Sequence, residues 1–203
     1  MSKGDYIALR SKAMLLRDVG GYDIAKAESN PVIFEEFVGD VLENDNLPAV
    51  IWEPFAGHTG RSKNQDFAAS IGLKLLSFDL APSDERVVKA DSTVTGPGEA
   101  IGGVFFHPPY FGTAPLSSDE RDLSLIEGWK DYIEALRKTV QIASLFTVDG
   151  GLVCAVGRDY RHRGDRIRLD LEYIRLFEKD WFKIHTVMGS EPDVAMIFKK
   201  IGN

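Results

Sequence analysis

Val104-Phe105-Phe106-His107-Pro108-Pro109-Tyr110-Phe111-Gly112 is the stretch whose residue types point most directly to chemistry. An apolar run leads into a histidine, two prolines and two aromatic residues. Proline has no amide hydrogen and biases the preceding residue to extended backbone, so the run reads as a buried strand that stops at a stiff loop. In open α/β sheets ligands bind outside the carboxyl ends of the strands. A rigid loop there, carrying an imidazole, carbonyls outside the ladder and a ring, is suited to hold a planar, amine-bearing substrate.

A second constellation lies upstream. Pro48 to Trp52 reads as a short strand running into Glu53-Pro54-Phe55-Ala56-Gly57-His58-Thr59-Gly60, and a helix begins at Ser62. Glycines let such a loop approach a ligand closely, and the helix amino terminus offers unpaired amides. The loop lacks the Gly-Lys-Ser/Thr of a phosphate cradle and the spacing of a dinucleotide fingerprint, while Glu53 can accept from a ligand amine. Two further strands, residues 73–79 and 86–91, each end in an acid, Asp79 and Asp91. An acid closing the second strand of a doubly wound sheet can take a ribose diol. Glu53, Asp79 and Asp91 at successive strand tips point to a nucleoside-like ligand. Residues 158–168 hold Arg158, Arg161, Arg163, Arg166 and Arg168 after another strand. They read either as a phosphate-contacting loop or as a solvated loop pairing with its own Asp159 and Asp165.

The elements that position these residues alternate strand and helix. A helix starts at Asn30-Pro31 and ends near residues 44–46. Residues 92–103 and 112–118 read as loops, the latter flexible, and Trp129 to Phe146 as a long amphipathic helix closed by Asp149-Gly150-Gly151. A strand covers 152–156, a helix 169–181, and two strands, 181–187 and 194–198, form a closing hairpin. A short helix is expected within residues 6–16. The 203 residues suit a single domain with residues 1–47 as a helical extension packed on it.

Composition narrows the classes. An apolar fraction of 44% and a charged fraction of 27% are those of a soluble globular protein, with no membrane span and no signal peptide expected. One cysteine excludes an internal disulfide and fits a cytoplasmic setting; four scattered histidines give no metal spacing. The net charge of −7 argues mildly against nucleic acid as a partner, but the distribution of charge matters more than its sum.

Over residues 48–200 the chain resembles the class I S-adenosylmethionine-dependent methyltransferases, and more narrowly the amino-methyltransferases that modify exocyclic amines of DNA bases. Glu53 to Gly60 is similar to the family's Asp-Pro-Phe-x-Gly-x-Gly loop. His107-Pro108-Pro109-Tyr110 is similar to its Asp/Asn/Ser-Pro-Pro-Tyr/Phe/Trp motif, with histidine at the first position. The resemblance implies a Rossmann-like, seven-stranded α/β sheet, mostly parallel, with an antiparallel C-terminal hairpin strand at the edge and helices on both faces. It implies S-adenosyl-L-methionine as cofactor, with Glu53, Pro54, Phe55, Ala56, Gly57, Thr59 and Gly60 near its methionine end. Asp79 would hold the ribose, with Leu80 beside it, and Asp91 and Ser92 the adenine. His107 and the carbonyl of Pro108 would accept from the target amine, Pro109 would stiffen the loop, and Tyr110 or Phe111 would stack on an extruded base. Independently of the resemblance, the arginine-rich loop read as phosphate-contacting makes Arg158, Arg161, Arg163 and Arg166 the candidate substrate contacts. The implied activity is DNA methylation of the restriction-modification kind, on adenine-N6 before cytosine-N4. An RNA or protein-glutamine acceptor and a non-catalytic cofactor-binding subunit are the alternatives. No segment is long enough for a separate recognition domain; residues 111–128 and 157–168 are the candidates for reading substrate, so recognition is short, weak or supplied by a recognition subunit or a homodimer.

Overall fold

A computed structural model of the chain describes residues 29–57, 62–157, 159–188 and 194–202. The elements run α1 (Ser29–Leu42), β1 (Val50–Glu53), α2 (Ser62–Ile71), β2 (Lys74–Asp79), β3 (Val88–Lys89) and β4 (Ile101–Phe106). After a 3-10 turn at Leu123–Leu125 come α3 (Trp129–Phe146), β5 (Thr147–Gly157), β6 (Tyr160–His162), β7 (Asp165–Ile167), α4 (Leu169–Phe177), β8 (Trp181–Met188) and β9 (Val194–Lys200). The helix expected within residues 6–16 lies outside the described residues.

Seven strands form one sheet in the order β3-β2-β1-β4-β5-β9-β8. Pairing is parallel from β3 through β5, while β9 is antiparallel to both β5 and β8. The fold class is therefore the expected one, with a correction of detail. The reversed strand is not at the edge; it is inserted between β5 and β8, because the hairpin folds its second strand back onto the apolar flank of β5.

Strand β4 is buried along its whole length, and its alternation assigns the two faces. Phe105 packs with Phe34, Phe37 and Val41 of α1, whereas Val104 and Phe106 pack with Tyr132, Leu136 and Val140 of α3 and Tyr173 and Phe177 of α4. The helical spacing of those residues makes one stripe per helix, so a three-layer core arises directly from sequence period. Gly102 is required where it stands: a Cβ there would lie 2.1 Å from the carbonyl oxygen of Pro48.

Some expected elements change: the helix expected over 169–181 ends at Phe177. β5 begins at Thr147, immediately after α3, whose last turn is closed by the Thr147 hydroxyl donating to the Ala143 carbonyl (2.7 Å). Asp149-Gly150-Gly151 therefore does not cap the helix. Gly150 (φ 79°) lies in an irregularity of β5 between the pairs Ile101–Thr147 and Gly103–Leu152. Residues 160–167, expected as loop, form a β-hairpin whose two turn residues, Arg163 (φ 51°) and Gly164 (φ 93°), are both left-handed, the geometry that matches strand twist.

β2 lies on one side of β1 and β4 on the other, so the chain reverses its direction of travel across the sheet at β1–β4. The carboxyl ends of β1, β2, β3 and β4 open on one edge at that reversal, where α/β sheets bind ligands.

Candidate active site

The loop after β1 is clamped from beneath. Glu53 is 3% exposed and accepts from the Asn64 amide (2.8 Å) and the Ser77 hydroxyl (2.6 Å); Ser77 in turn accepts from the Gln65 amide (2.8 Å). This buried network ties the start of α2 to the ends of β1 and β2. Above it, the Ala56 amide donates to the Phe78 carbonyl (2.9 Å), the Gly57 amide to Asp79 Oδ2 (2.9 Å), and the Ser92 hydroxyl to the Pro54 carbonyl (2.6 Å). Residues 54–57 are thus bonded to the end of β2 and to the loop after β3, and Gly57 meets that geometry at φ 73°. Asp79 Oδ1 accepts from the Ala81 amide (2.8 Å), and Asp91 Oδ1 from the Thr93 amide (2.9 Å) and hydroxyl (2.6 Å). Each carboxylate is oriented by its own loop and keeps acceptor capacity for a ligand, since an ionised carboxylate has about four acceptor sites.

The loop after β4 is held by two tyrosines from distant elements. The Tyr132 hydroxyl of α3 donates to the Pro109 carbonyl (2.7 Å), and the Tyr160 hydroxyl of β6 donates to the Phe111 carbonyl (2.8 Å). Burial, then the neighbouring Tyr160 and Tyr110, pushes the Tyr132 hydroxyl well above its ordinary pKa, so it remains a donor. Tyr110 stacks on Tyr160 (centroids 5.7 Å apart, 25° between planes), and its hydroxyl lies 3.1 Å from His107 Nε2. Gly112 sits at φ 66°, and a Cβ on it would fall 2.2 Å from the His162 ring.

These parts enclose one cavity of about 460 Å³. Of the residues singled out in the sequence, it is lined by Pro54, Phe55, Gly57, Asp79, Leu80, Asp91, Ser92, His107, Pro108, Pro109 and Tyr110. Glu53 and Ala56 are buried beneath it. Phe111 is turned into the core, 5% exposed, with Trp129 at 5.3 Å and His162 at 5.1 Å between centroids. Arg161, Arg163 and Arg166 lie on the β6–β7 hairpin and do not line the cavity. Thr59, Gly60 and Arg158 lie outside the described residues.

The sequence marks residues 111–128 as a candidate for reading substrate, with 112–118 as a flexible loop, but does not show that they form the opposite wall. Thr113, Leu116, Ser117, Arg121, Asp122 and Leu123 also line the cavity. Asp122 fixes this wall. Its carboxylate, 3% exposed, accepts from the Leu116 amide (3.0 Å) and Ser117 amide (2.6 Å) on one oxygen, and from the Ser124 amide (2.9 Å) and hydroxyl (2.7 Å) on the other. Burial raises the Asp122 pKa, but the bonds from Ser124 and Ser117 outweigh it and hold the group below its ordinary value. The available signal is Asp122 two residues before Ser124, the side-chain-to-backbone pattern of a capping aspartate.

A seven-stranded sheet in this order, with its penultimate strand reversed and its cavity at the strand ends, is the Rossmann-like fold of S-adenosylmethionine-dependent methyltransferases. Three solved structures show the likeness. The 1,6-didemethyltoxoflavin-N1-methyltransferase of Burkholderia thailandensis, with bound 1,6-didemethyltoxoflavin and S-adenosylhomocysteine, is 13% identical, with a TM-score of 0.56 over 100% of this chain and 92% of that one. The N-methyltransferase NodS of Bradyrhizobium japonicum, in complex with S-adenosylhomocysteine, is 9% identical, with a TM-score of 0.55 over 88% and 91%. An rRNA methylase of Streptococcus thermophilus is 14% identical, with a TM-score of 0.53 over 88% and 100%. At these identities the likeness is one of fold. No family model matches the sequence, and no curated protein matches it at a significant level.

Proposed function

We propose that the chain is an S-adenosylmethionine-dependent methyltransferase that acts on an exocyclic amine of a nucleobase, with adenine-N6 of DNA favoured over cytosine-N4. The observation that carries this reading is the meeting, in one cavity, of Asp79 and Asp91 at two strand tips with His107-Pro108-Pro109-Tyr110 at a third.

The residues fit the cofactor. All five line the cavity: Asp79 would accept from a ribose diol, Leu80 and Phe55 offer apolar surface, and Asp91 with Ser92 would meet the adenine. When bound, S-adenosylmethionine supplies a methyl group already activated on sulfur, so this chain's contribution is mainly positioning. Neutral His107 has one acceptor nitrogen, and the resemblance of the motif makes the Pro108 carbonyl, which also lines the cavity, the second acceptor for the amine. Two acceptors on one amine draw its lone pair out of conjugation with the ring. Nε2 and the Tyr110 hydroxyl are within hydrogen-bonding distance, so substrate entry exchanges that contact for the amine. Tyr160 covers one face of the Tyr110 ring, and the base stacks on the other, a contact that contributes ~1–3 kcal/mol and offsets part of the cost of turning the base out.

RNA is the second reading. The rRNA methylase among the structural neighbours supports it, and the same acceptors suit the same amines in either nucleic acid. Methyl-labelled cofactor offered with DNA, RNA and protein extract in parallel tests both. Label in DNA bases, lost in His107→Ala, is the expected result; label in protein alone would refute the nucleobase reading.

A further inference from the structure

We propose that the outer face of the β6–β7 hairpin is the docking surface for the sugar-phosphate backbone of the nucleic-acid strand that carries the target base; this rests on the nucleobase reading above. The hairpin's inner face belongs to the catalytic loop. Tyr160 stacks on Tyr110 and bonds the Phe111 carbonyl, and the His162 ring abuts Gly112. Strand alternation sends Arg161, between them, to the opposite face. Arg161 and Arg166 are directly opposed across the ladder, and both are exposed.

Two local features of this hairpin leave its positive charge unbalanced. Like charges at directly opposed strand positions repel. Asp159 offsets only one of the pair, bonding Arg166 at 2.7 Å and also Arg168 at 2.9 Å; neither Arg161 nor Arg163 has a carboxylate partner among the described residues. Residues 158–168 carry five arginines against two aspartates in a chain whose net charge is −7. A row of guanidinium groups, rather than a single pocket, suits a ligand with repeated anionic groups, and the guanidinium fork matches phosphate oxygens.

The test is fluorescence anisotropy of labelled single-stranded DNA and RNA oligonucleotides over ~50–200 mM salt. Arg161→Gln/Arg163→Gln is the variant, since it leaves the Asp159 pairs intact. Lys138→Gln/Lys179→Gln, on exposed helix and turn positions elsewhere, removes the same net charge. For at least one oligonucleotide, the hairpin variant should lower the slope of log K against log salt by about 1.4 and weaken binding roughly tenfold or more near 0.1 M salt, as two lost single-strand phosphate contacts require. The control variant should keep the wild-type slope, and all three proteins should bind S-adenosylhomocysteine equally. Wild-type slope and affinity in the hairpin variant would overturn the hairpin assignment and leave the nucleobase reading standing. An equal loss in the control variant would overturn it too. Wild-type protein that binds S-adenosylhomocysteine but neither oligonucleotide would overturn the hairpin assignment, while the nucleobase reading stands or falls with the methyl labelling of DNA and RNA.

Discussion

Replacing Asp122 by alanine should detach the wall of the cavity opposite Asp79 and Asp91. The carboxylate collects four donors, two from Ser124 and one each from Leu116 and Ser117. The two Ser124 bonds are buried and lose their acceptor outright. The Leu116 and Ser117 amides are half-buried; water can reach them, and the Ser124 hydroxyl already stands 3.3 Å from the Leu116 amide as a substitute. Counting the two buried donors nearly in full and the others as minor gives about 2–6 kcal/mol, since a stranded buried donor costs ~1–3 kcal/mol. The segment can open without unfolding the sheet, so much of this should appear as weaker cofactor binding, roughly 30-fold or more at ~1.4 kcal/mol per decade. Calorimetric titration with S-adenosylhomocysteine, beside a thermal melt, separates the two. Asp122→Asn keeps one acceptor oxygen and turns an amide group against the remaining amide donors, so it should fall between wild type and Asp122→Ala. Because the folded pKa of Asp122 is lowered, its contribution is present above the ordinary carboxyl value of about 3.9 and is lost as pH falls below that toward the lowered value. Cofactor affinity should therefore show no dependence on this group from neutral pH down to about 5, given that reference value. An Asp122→Ala protein with wild-type melting and a Kd within twofold of wild type would refute the reasoning.

Other perturbations test the same contacts. Tyr132→Phe strands the Pro109 carbonyl without changing core volume; it should cost about 1–2 kcal/mol in denaturant titration and reduce kcat more than it raises the KM for cofactor. Gly112→Ala forces both a left-handed alanine and displacement of His162, and should lower Tm and methyl transfer together, while cofactor binding in calorimetry stays closer to wild type. Asp79→Ala removes the acceptor for the Gly57 amide as well as the ligand's diol partner, so cofactor affinity should drop by at least tenfold in the same titration. Glu53→Gln leaves the Ser77 and Asn64 donors facing a neutral amide, and should destabilise the fold in a thermal melt without touching the cavity lining.

The parts of the site legible in the sequence are those written contiguously. An apolar run ending in His107-Pro108-Pro109 announces a strand tip, and acids at Asp79 and Asp91 close runs of the same kind. The helices are legible because Tyr132, Leu136, Val140 and Ala143 repeat at helical spacing. The missing parts depend on contacts between residues far apart in the chain. Tyr132 reaches Pro109, and Tyr160 reaches Phe111, across separations no local pattern records. The wall that runs from the expected flexible loop, 112–118, to Asp122 is polar in sequence, and its order is hidden because those polar groups bond one another. The Arg163-Gly164 turn is hidden because arginine is an unusual first residue for that geometry, so the flanking strands read as a charged loop. The start of β5 is obscured in the opposite way: Thr147 and Val148 continue directly from the apolar end of α3, and only the irregular pairing at Gly150 shows that the glycines serve the strand.

His107 and Tyr110, set in one cavity with Asp79 and Asp91, are the groups assigned to direct a methyl group onto an exocyclic amine of a nucleobase. Nucleoside mass spectrometry of nucleic acid from cells expressing the wild-type chain, beside cells expressing His107→Ala, puts that assignment to its sharpest test. The expected result is a new methylated base, N6-methyladenine first and N4-methylcytosine second, that disappears in the variant. Nucleosides indistinguishable between wild type and His107→Ala, in DNA and RNA alike, would contradict it.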